Sequence, residues 1–318
     1  MAQYQDIIIN GKVKKGQRDC ESRWKVIQKI LKKRYNRPIS VLDIGANFGY
    51  FSFRIQEEFP GSVITMIESK HATRLIKLCK EIGAENAIVL DTLIDSDQLH
   101  TLADCEHFDV VLGLNVLHHI GDIENSFAAI ERLGDTIIIE TPDPKDEGAC
   151  GQKNLEGLYN KFIKEYTIIE KFNRHTSNIS SPLGVKDFKK TTLEKRYWDS
   201  KPYNNKIIIE STSTNKTFTH TEKLESRDWI HGINLRTYQY LNGRYPCRET
   251  LVDNIVNFDF SNHEDLNPWN LILTGNTVVP IDSKDNRHKK PTNNMQQVEK
   301  IKKDLLSKNV NDIKFYKK

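Results

Sequence analysis

The stretch that decides the fold is Ile39–Tyr50, which reads ISVLDIGANFGY. Residues 39–44 form a short apolar run of the kind that a buried strand needs. A turn follows at once, with Asp43 at its start and Gly45 and Gly49 within it. Glycine permits backbone angles and close approaches that a Cβ would forbid, so these residues predict a tight connection from a strand to a helix. Such a connection brings a ligand close to main-chain N–H groups at the N-terminus of the helix.

Apolar runs and amphipathic segments alternate after this stretch. The predicted strands are Ile39–Ile44, Ser62–Glu68, Asn86–Leu90, Asp109–Leu114 and Thr136–Glu140, and the predicted helices are Glu21–Tyr35, Phe48–Phe59, Lys70–Ile82, Asp122–Leu133 and Asn154–Lys164. Strands that alternate with helices require a parallel sheet with right-handed crossovers. The chain is therefore predicted to be an α/β protein with a doubly wound, mostly parallel sheet.

The composition is that of an ordinary globular protein. The 318 residues are 37% hydrophobic and 28% charged, with a net charge of +4 that does not by itself demand a nucleic-acid partner. The five cysteines are scattered and form no C-x-x-C pair, which argues against a disulfide framework and a cysteine zinc site. No secretory signal pattern and no membrane span are expected, and a cytoplasmic location is predicted.

The segment DIGANFG, residues 43–49, resembles motif I of the class I S-adenosylmethionine-dependent methyltransferases. The resemblance implies that Asp43, Gly45, Asn47 and Gly49 hold the methionine and ribose part of S-adenosylmethionine. It also implies a seven-stranded Rossmann-like sheet, completed by Tyr166–Asn173 and by an antiparallel strand at Leu193–Trp198.

Three further residues follow from strand ends. Glu68 ends the second strand, where an acidic residue binds ribose hydroxyls in this kind of fold, although a helix cap or a solvent-facing side chain is the alternative. Asp91 and Thr92 follow the third strand, where methyltransferases often place an acceptor for the adenine amino group. An N-cap for a following turn explains Asp91 equally well.

The phrase DVVLGLNVLHHI, residues 109–120, resembles motif IV and its sequel in small-molecule methyltransferases. It places Asn115 on the cofactor side and His118 and His119 beside the acceptor. If the acceptor is a hydroxyl, His119 or His118 is the candidate general base, because histidine titrates near neutrality. A phosphate or carboxylate acceptor needs no base. No metal is expected, because neighbouring helical side chains diverge and no further ligand accompanies the two histidines.

The C-terminal third holds a second resemblance. A hairpin over 203–221 and a helix over Arg227–Tyr240 are predicted, followed by HEDLNPWN (263–270) and VVPID (278–282). These segments resemble the catalytic loop and metal-binding aspartate of aminoglycoside-phosphotransferase-like kinases, which implies that Asp265 is the base and that Asn270 and Asp282 are Mg²⁺ ligands. A small lobe with a glycine-rich loop and a paired lysine is lacking, and the chain after Asp282 is short, so a fragmentary module is favoured over a working kinase.

The predicted parts of the chain are an N-terminal helical lid segment (1–36), a methyltransferase domain (37–200), a small α+β kinase-like or cap module (201–283) and a basic tail (284–318). The predicted function is methyl transfer from S-adenosylmethionine to an oxygen or nitrogen acceptor on a small molecule, sugar or phosphorylated glycan. An RNA-directed enzyme or RNA-binding module that uses the basic C-terminal region, and a bifunctional kinase/methyltransferase, are the alternatives. An NAD-dependent oxidoreductase is disfavoured, because the turn lacks the G-x-G-x-x-G spacing.

Overall fold

The computed structural model of the chain describes most of its N-terminal part and shorter pieces of its C-terminal third. The described residues are 3–9, 11–146, 155–173, 179–188, 231–244, 246, 251, 253, 271–275, 277–280 and 299.

Strands and helices alternate along most of the described chain. The strands are β1 (Ile7–Ile9), β2 (Lys12–Lys14), β3 (Ser40–Ile44), β4 (Val63–Ile67), β5 (Ala87–Leu90), β6 (Phe108–Leu114), β7 (Gly134–Glu140), β8 (Thr167–Asn173), β9 (Ser180–Asp187), β10 (Ile233–Asn234), β11 (Gly243–Arg244), β12 (Leu271–Thr274) and β13 (Thr277–Pro280). The helices are α1 (Cys20–Arg34), α2 (Tyr50–Glu58), α3 (Ala72–Ile82), α4 (Ser96–Cys105), α5 (Ile123–Arg132), α6 (Leu155–Glu165) and α7 (Leu235–Tyr240), with one 3-10 turn at Leu117–His119.

The large sheet has the strand order β11-β5-β4-β3-β6-β7-β9-β8. Strands β5, β4, β3, β6 and β7 are parallel, whereas β9 runs antiparallel to both of its neighbours, β7 and β8. This topology confirms the predicted doubly wound, Rossmann-like α/β fold. The sheet has an eighth strand beyond the expected seven, because the two residues of β11 pair antiparallel with β5. That pairing covers backbone groups that the edge of the sheet would otherwise expose.

Two hydrophobic clusters lie on opposite faces of this sheet. Helices α1, α2 and α3 contribute to one cluster, and α4, α5, α6 and α7 contribute to the other. Strand β4 shows the alternation directly, because Val63 and Ile67 belong to one cluster while Ile64 and Met66 belong to the other. A strand buried on both faces needs the continuous apolar run that the sequence has here.

The antiparallel strand beside β7 is not where the sequence analysis places it. Residues 180–187 form β9, for which the sequence predicts no strand, and the predicted strand Leu193–Trp198 lies outside the described residues. Pro182 and Gly184 are residue types that are uncommon inside strands, so the sequence does not indicate a strand here. Pro182 lies just beyond the last residue pair between β9 and β7, where its missing N–H removes no bond of that ladder. A Cβ on Gly184 would lie 2.9 Å from the Phe162 ring, so glycine allows α6 to approach the strand.

The structure also contains a helix that is not predicted from the sequence. Helix α4 begins after Asp95, whose side chain accepts a hydrogen bond from the backbone N–H of Gln98 at 2.8 Å. The Gln98 side chain accepts one from the backbone N–H of Asp95 at 3.1 Å, which completes a capping box.

Helix α1 packs into the core next to α2 and β8. Four of its apolar side chains, Trp24, Ile27, Ile30 and Leu31, are buried. Its N-cap is Asp19, whose carboxylate accepts from the Ser22 N–H at 3.1 Å. The helix is therefore part of the layer that covers one face of the sheet, and it carries the segment 3–18 to the carboxyl edge of that sheet.

The described pieces of the C-terminal third pack against the face that carries α4. The predicted helix over Arg227–Tyr240 is shorter than expected, because Ile233–Asn234 is a strand and the Asn234 side chain caps α7 from outside. Glu106 fixes this cap, since its Oε1 accepts from the Asn234 N–H at 3.0 Å and from the Thr237 hydroxyl at 2.7 Å. Leu235 and Leu273 belong to the same hydrophobic cluster as Leu99 of α4. The predicted boundary near residue 201 stays a prediction, and the predicted hairpin over 203–221 lies outside the described residues.

Candidate cofactor and acceptor site

The residues singled out by the sequence meet at the carboxyl edge of the parallel strands. Asp43 lies in β3, Glu68 directly follows β4, Asp91 directly follows β5, and Asn115 directly follows β6. These four strands are neighbours in the sheet. The carboxyl edge of an open α/β sheet is where ligands bind in this class of fold, so the topology gathers the predicted residues into one candidate site.

The glycine turn after β3 has the geometry that requires glycine. Gly45 has a φ of +72°, and a Cβ there would lie 2.5 Å from Cγ2 of Val116. Gly49 has a φ of +75°, and its Cβ would lie 2.8 Å from the Phe53 ring. Asn47 also adopts a left-handed conformation, with a φ of 55°. The N–H groups of Gly45 and Ala46 donate to the Ile67 carbonyl at 2.9 and 3.1 Å, which ties the turn to the end of β4.

Asp43 is buried behind this turn, with 3% of its surface exposed. Its Oδ2 accepts a hydrogen bond from the Ser52 hydroxyl of α2 at 2.7 Å. Burial raises the pKa of the Asp43 carboxyl to about 6, although the Ser52 bond and the positive charge of Arg18 oppose the shift. The carboxylate therefore holds the first turn of α2 against the end of β3.

Glu68 binds backbone N–H groups with both of its oxygens. Oε2 accepts from the Asn47 N–H at 2.8 Å, and Oε1 accepts from the His71 N–H at 3.0 Å. The second bond is a cap at the start of α3, which was the alternative to a ribose role. A carboxylate has about four acceptor positions, so both oxygens retain capacity for hydroxyl donors. The ribose role stays a prediction, and the structure shows that Glu68 also orders the glycine turn.

Asp91 contacts the C-terminal third of the chain. Its Oδ2 lies 2.9 Å from Nη2 of Arg244, and its backbone N–H donates to the Asn242 carbonyl at 3.2 Å. The helix that follows is capped by Asp95, so Asp91 is not its N-cap. Thr92 follows Asp91, and its backbone N–H donates a hydrogen bond to the Leu90 carbonyl at 3.0 Å. The adenine role of Asp91 and Thr92 stays a prediction.

Asn115 is tied to a buried carboxylate at the end of β7. Its Nδ2 donates to Oε1 of Glu140 at 2.8 Å, and its backbone N–H donates to the Glu140 carbonyl at the same distance. These bonds hold Asn115 in a left-handed conformation with a φ of 61°. Its side-chain Oδ1 is buried and has no hydrogen-bond partner among the described residues, which leaves an acceptor for a bound molecule.

Two arginines from the N-terminal segment hold Glu140, and none of these three residues is predicted from the sequence as part of the site. Glu140 has no exposed surface, Nη2 of Arg18 lies 2.5 Å from its Oε2, and Nη2 of Arg23 lies 2.9 Å from its Oε1. Burial acts to raise the pKa of Glu140, but the two guanidinium groups outweigh it and hold that pKa below its usual range. The sequence signal that could have identified Glu140 is its place as an acidic residue at the end of an apolar strand, which is also the place of Glu68.

The paired histidines lie in the 3-10 turn that follows Asn115. His118 is buried with 6% of its surface exposed, whereas His119 is exposed. Their ring centroids are 4.0 Å apart. The two neighbouring histidines therefore differ in burial, and the assignment of a general base to either of them stays a prediction.

The kinase-like residues Asp265, Asn270 and Asp282 lie outside the described residues. The segment between the last two contains the antiparallel pair β12 and β13, joined through Thr274 and Thr277. No group of three or more histidine, cysteine, aspartate or glutamate side chains that could hold a metal occurs in the part of the chain that the structure describes. Among the helices described, none is long and apolar enough to cross a membrane.

Similar proteins include methyltransferases of two kinds, although no family model matches the chain. The O-antigen chain terminator bifunctional methyltransferase/kinase WbdD of Escherichia coli is 24% identical over 237 residues, which cover 68% of this chain and 33% of WbdD. Ribosomal RNA small subunit methyltransferase G of Lactococcus lactis subsp. cremoris is 29% identical over 137 residues, which cover 41% of this chain and 55% of that enzyme. The chain thus spans between a third and about half of the length of these curated relatives.

A solved structure of WbdD also aligns with the chain, with a TM-score of 0.47 and 17% identity over 90% of this chain and 81% of that one. The strand order, the glycine turn at the carboxyl edge of β3 and the two curated relatives agree with one another. They support a class I S-adenosylmethionine-dependent methyltransferase fold for the part of the chain that contains the large sheet.

Proposed function

We propose that this chain transfers a methyl group from S-adenosylmethionine to an oxygen or nitrogen atom of a small molecule, sugar or phosphorylated glycan. The observation that carries the proposal is the arrangement of Asp43, Glu68 and Asn115 around the glycine turn at one edge of the sheet. Their positions come from strand ends that the topology brings together, and they agree with the roles that the family resemblance implies for them.

The residues present fit the donor. When bound, S-adenosylmethionine supplies an activated methyl group on a sulfonium, so the protein has only to bind, align and exclude water. Glu68 offers carboxylate oxygens to ribose hydroxyls, and Asn115 offers the partnerless Oδ1. If the acceptor is a hydroxyl, His119 would take its proton, and the acceptor oxygen would receive the methyl group that bound S-adenosylmethionine would supply.

Calorimetry with S-adenosylhomocysteine tests the donor. We expect binding by the unmodified protein and an affinity about tenfold weaker in Glu68→Gln, because the neutral amide is a poorer acceptor for hydroxyl donors. Glu57→Gln is the matched control, since Glu57 is an exposed acid in α2 that pairs with Arg54. Binding of NAD in place of S-adenosylhomocysteine would reject the proposal.

The acceptor class is tested by a panel assay. The panel holds sugars, phosphorylated sugars, glycans and RNA, each offered with isotopically labelled S-adenosylmethionine. We expect labelling of a sugar, glycan or other small molecule. Preferential labelling of RNA, weakened steeply by added salt, would favour the RNA-directed alternative, which the similarity to ribosomal RNA methyltransferase G supports.

A second candidate function is a bifunctional kinase/methyltransferase. Two observations favour it: the similarity to WbdD, and the strand pair β12–β13 between Asn270 and Asp282, where the kinase resemblance also has strands. The test is Mg²⁺-dependent phosphate transfer from ATP. Transfer that Asp265→Ala abolishes would support this candidate, and absence of transfer would leave methyl transfer alone.

A further inference from the structure

The main chain of Asp91 lies just beyond the end of a parallel ladder. The ladder between β5 and β4 ends at Leu90, which pairs with Ile67. The Leu90 carbonyl accepts from the N–H groups of both Glu68 and Thr92, at 3.1 and 3.0 Å. Among the described residues, β4 forms no hydrogen bond with the main chain of Asp91. Another element therefore has to hold this residue.

Asn242 supplies the bonds that β4 does not. The Asp91 N–H donates to the Asn242 carbonyl at 3.2 Å, and Nδ2 of Asn242 donates to the Asp91 carbonyl at 3.3 Å. The two residues continue the register of β11 and β5 beyond its pair Gly243–Leu90. Within the described part of the chain, both main-chain groups of Asp91 are thus bonded to Asn242 alone.

The conformation of Asn242 is what directs its carbonyl to Asp91. Its φ is 53°, a left-handed conformation that asparagine tolerates better than most residues with a side chain. The flanking residues fix it by packing, because Leu241 is buried and a Cβ on Gly243 would overlap the Tyr238 ring. The carbonyl of Asn242 is therefore held in place by the core and does not depend on Asp91.

The ion pair between Asp91 and Arg244 is the weaker constraint. The Arg244 side chain is 49% accessible, so water and salt screen the pair, and its long side chain has many rotamers. Only two rotatable bonds separate the carboxyl oxygens of Asp91 from its main chain. The main chain therefore determines where the carboxylate points more than the arginine does.

We propose that the C-terminal third completes the donor site, with Asn242 as the residue that positions Asp91 for the adenine amino group. This inference rests on the proposed function and on the adenine role predicted for Asp91. Asn242 acts through its left-handed main chain and does not touch the donor. A hydrogen bond weakens steeply when its acceptor is misplaced, so holding Asp91 matters for affinity. Residues 231–244 then belong to the same functional unit as the large sheet, across the boundary predicted near residue 201.

Calorimetry on the full chain tests the inference with two ligands. S-adenosylhomocysteine carries the adenine amino group, whereas S-inosylhomocysteine carries a carbonyl in its place. We expect Asn242→Ala, which disfavours the left-handed conformation, to weaken S-adenosylhomocysteine about fivefold and to leave S-inosylhomocysteine within about twofold. Asn242→Gly permits that conformation and is expected to keep S-adenosylhomocysteine within about twofold of the unmodified protein.

A double-mutant cycle and a matched control complete the design. In the Asp91→Ala background, Asn242→Ala is expected to change the affinity for S-adenosylhomocysteine by less than about twofold, because it acts only through Asp91. The control is Gly83→Ala, since Gly83 is also left-handed, with a φ of +66°, but lies between α3 and β5 at the amino edge of the sheet. This control is expected to change neither affinity.

Other outcomes overturn the inference in distinct ways. Equal losses for both ligands in Asn242→Ala would mean that Asn242 only supports the fold, and no loss would mean that Asp91 holds its place without it. A loss in Asn242→Gly equal to that in Asn242→Ala would exclude the main-chain route. An unchanged affinity in Asp91→Ala would remove the adenine role that the inference needs. Absence of any S-adenosylhomocysteine binding by the unmodified protein would instead reject the proposed function.

If Asn242→Ala fails to fold, hydrogen exchange on the unmodified protein replaces it. The Asp91 N–H is expected to be protected, and to exchange more slowly with saturating S-adenosylhomocysteine than with saturating S-inosylhomocysteine. Exchange of this N–H at the rate of a free peptide while S-adenosylhomocysteine is bound would overturn the inference.

Discussion

Arg244 forms an ion pair with Asp91, with Nη2 and Oδ2 2.9 Å apart, and thereby joins the C-terminal third of the chain to the predicted adenine end of the candidate site. The contact is reinforced by the backbone, because Arg244 and Gly243 extend the large sheet next to β5. The C-terminal segment therefore contacts the sheet at the end of β5, where Asp91 lies.

If Asp91 accepts a hydrogen bond from the adenine amino group, replacing Asp91 weakens only the ligands that carry this amino group. We expect Asp91→Ala to weaken S-adenosylhomocysteine by about tenfold, the loss of one charge-assisted hydrogen bond. S-inosylhomocysteine, which has a carbonyl in place of that amino group, is expected to bind the variant and the unmodified protein alike. Calorimetry with both ligands checks this, and an equal loss for both would contradict the adenine role.

Arg244→Gln is the matched control for Asp91. The pair is partly exposed, with 49% of the Arg244 side chain accessible, so we expect the variant to lower the free energy of unfolding by less than about 1 kcal/mol. We also expect S-adenosylhomocysteine affinity within about threefold of the unmodified protein. A larger loss of affinity would show that Arg244 positions Asp91.

The sequence predicts those site residues that depend on local chain geometry. Asp43, Gly45 and Glu68 follow from the places where apolar strands end, because parallel strands end at one edge. The partners of Glu140 are not predictable in this way, since Arg23 is 117 positions away and sits on a helix whose pattern indicates only a polar face. Strand β9 is not predictable either, because Pro182 and Gly184 are residues that favour a loop. Only the structure shows that the residue pairs between β9 and β7 end before Pro182.

A comparison of Gly45 with Gly83 distinguishes the stability cost of backbone strain from the cost of steric crowding. Both have positive φ, +72° and +66°, but a Cβ meets Val116 at 2.5 Å at Gly45 and nothing within 4 Å at Gly83. We expect Gly83→Ala to cost about 1–2 kcal/mol, the strain of the left-handed conformation. We expect Gly45→Ala to cost about 1–3 kcal/mol more, because the added methyl overpacks against Val116. Urea unfolding measures both, and equal costs would contradict the close approach.

Removing the carboxylate of Glu140 is expected to destabilise the protein strongly. Glu140→Ala leaves the buried guanidinium groups of Arg18 and Arg23 without their anion, and breaking such a pair costs about 3–5 kcal/mol. Urea unfolding measures the loss. Glu57→Gln, at an exposed pair, is expected to stay within about 0.5 kcal/mol. A loss below about 1 kcal/mol for Glu140→Ala would contradict the structural role of the cluster.

The raised pKa of Asp43 predicts the direction of a pH effect. Burial raises the pKa of this carboxyl from its ordinary value of 3.8 to about 6, so between those values the folded state binds more protons than the unfolded state. Its contribution to the free energy of unfolding therefore falls as pH rises from about 4 to 6 and is constant above that range. We expect Asp43→Asn, which keeps an acceptor for Ser52, to remove this fall.

The measurement is urea unfolding at a series of pH values for the unmodified protein and for Asp43→Asn. The difference in free energy of unfolding between the two proteins is expected to grow from pH 4 to pH 6 in favour of the variant, reaching roughly 2–3 kcal/mol for a pKa raised to about 6. A difference that does not vary with pH would contradict the raised pKa of Asp43.

The exposed histidine gives the most direct test of the chemical step. If the acceptor is a hydroxyl and His119 removes its proton, His119→Gln lowers kcat by about 10²–10⁴-fold while the affinity for S-adenosylhomocysteine stays unchanged. The loss of activity on the acid side of the pH–rate profile is expected to disappear in this variant. His118→Gln is the matched control, since His118 is buried beside it and its replacement is expected to lower stability more than kcat. Full activity in His119→Gln would contradict a base at this position and favour an acceptor, such as a phosphate or a carboxylate, that needs no base.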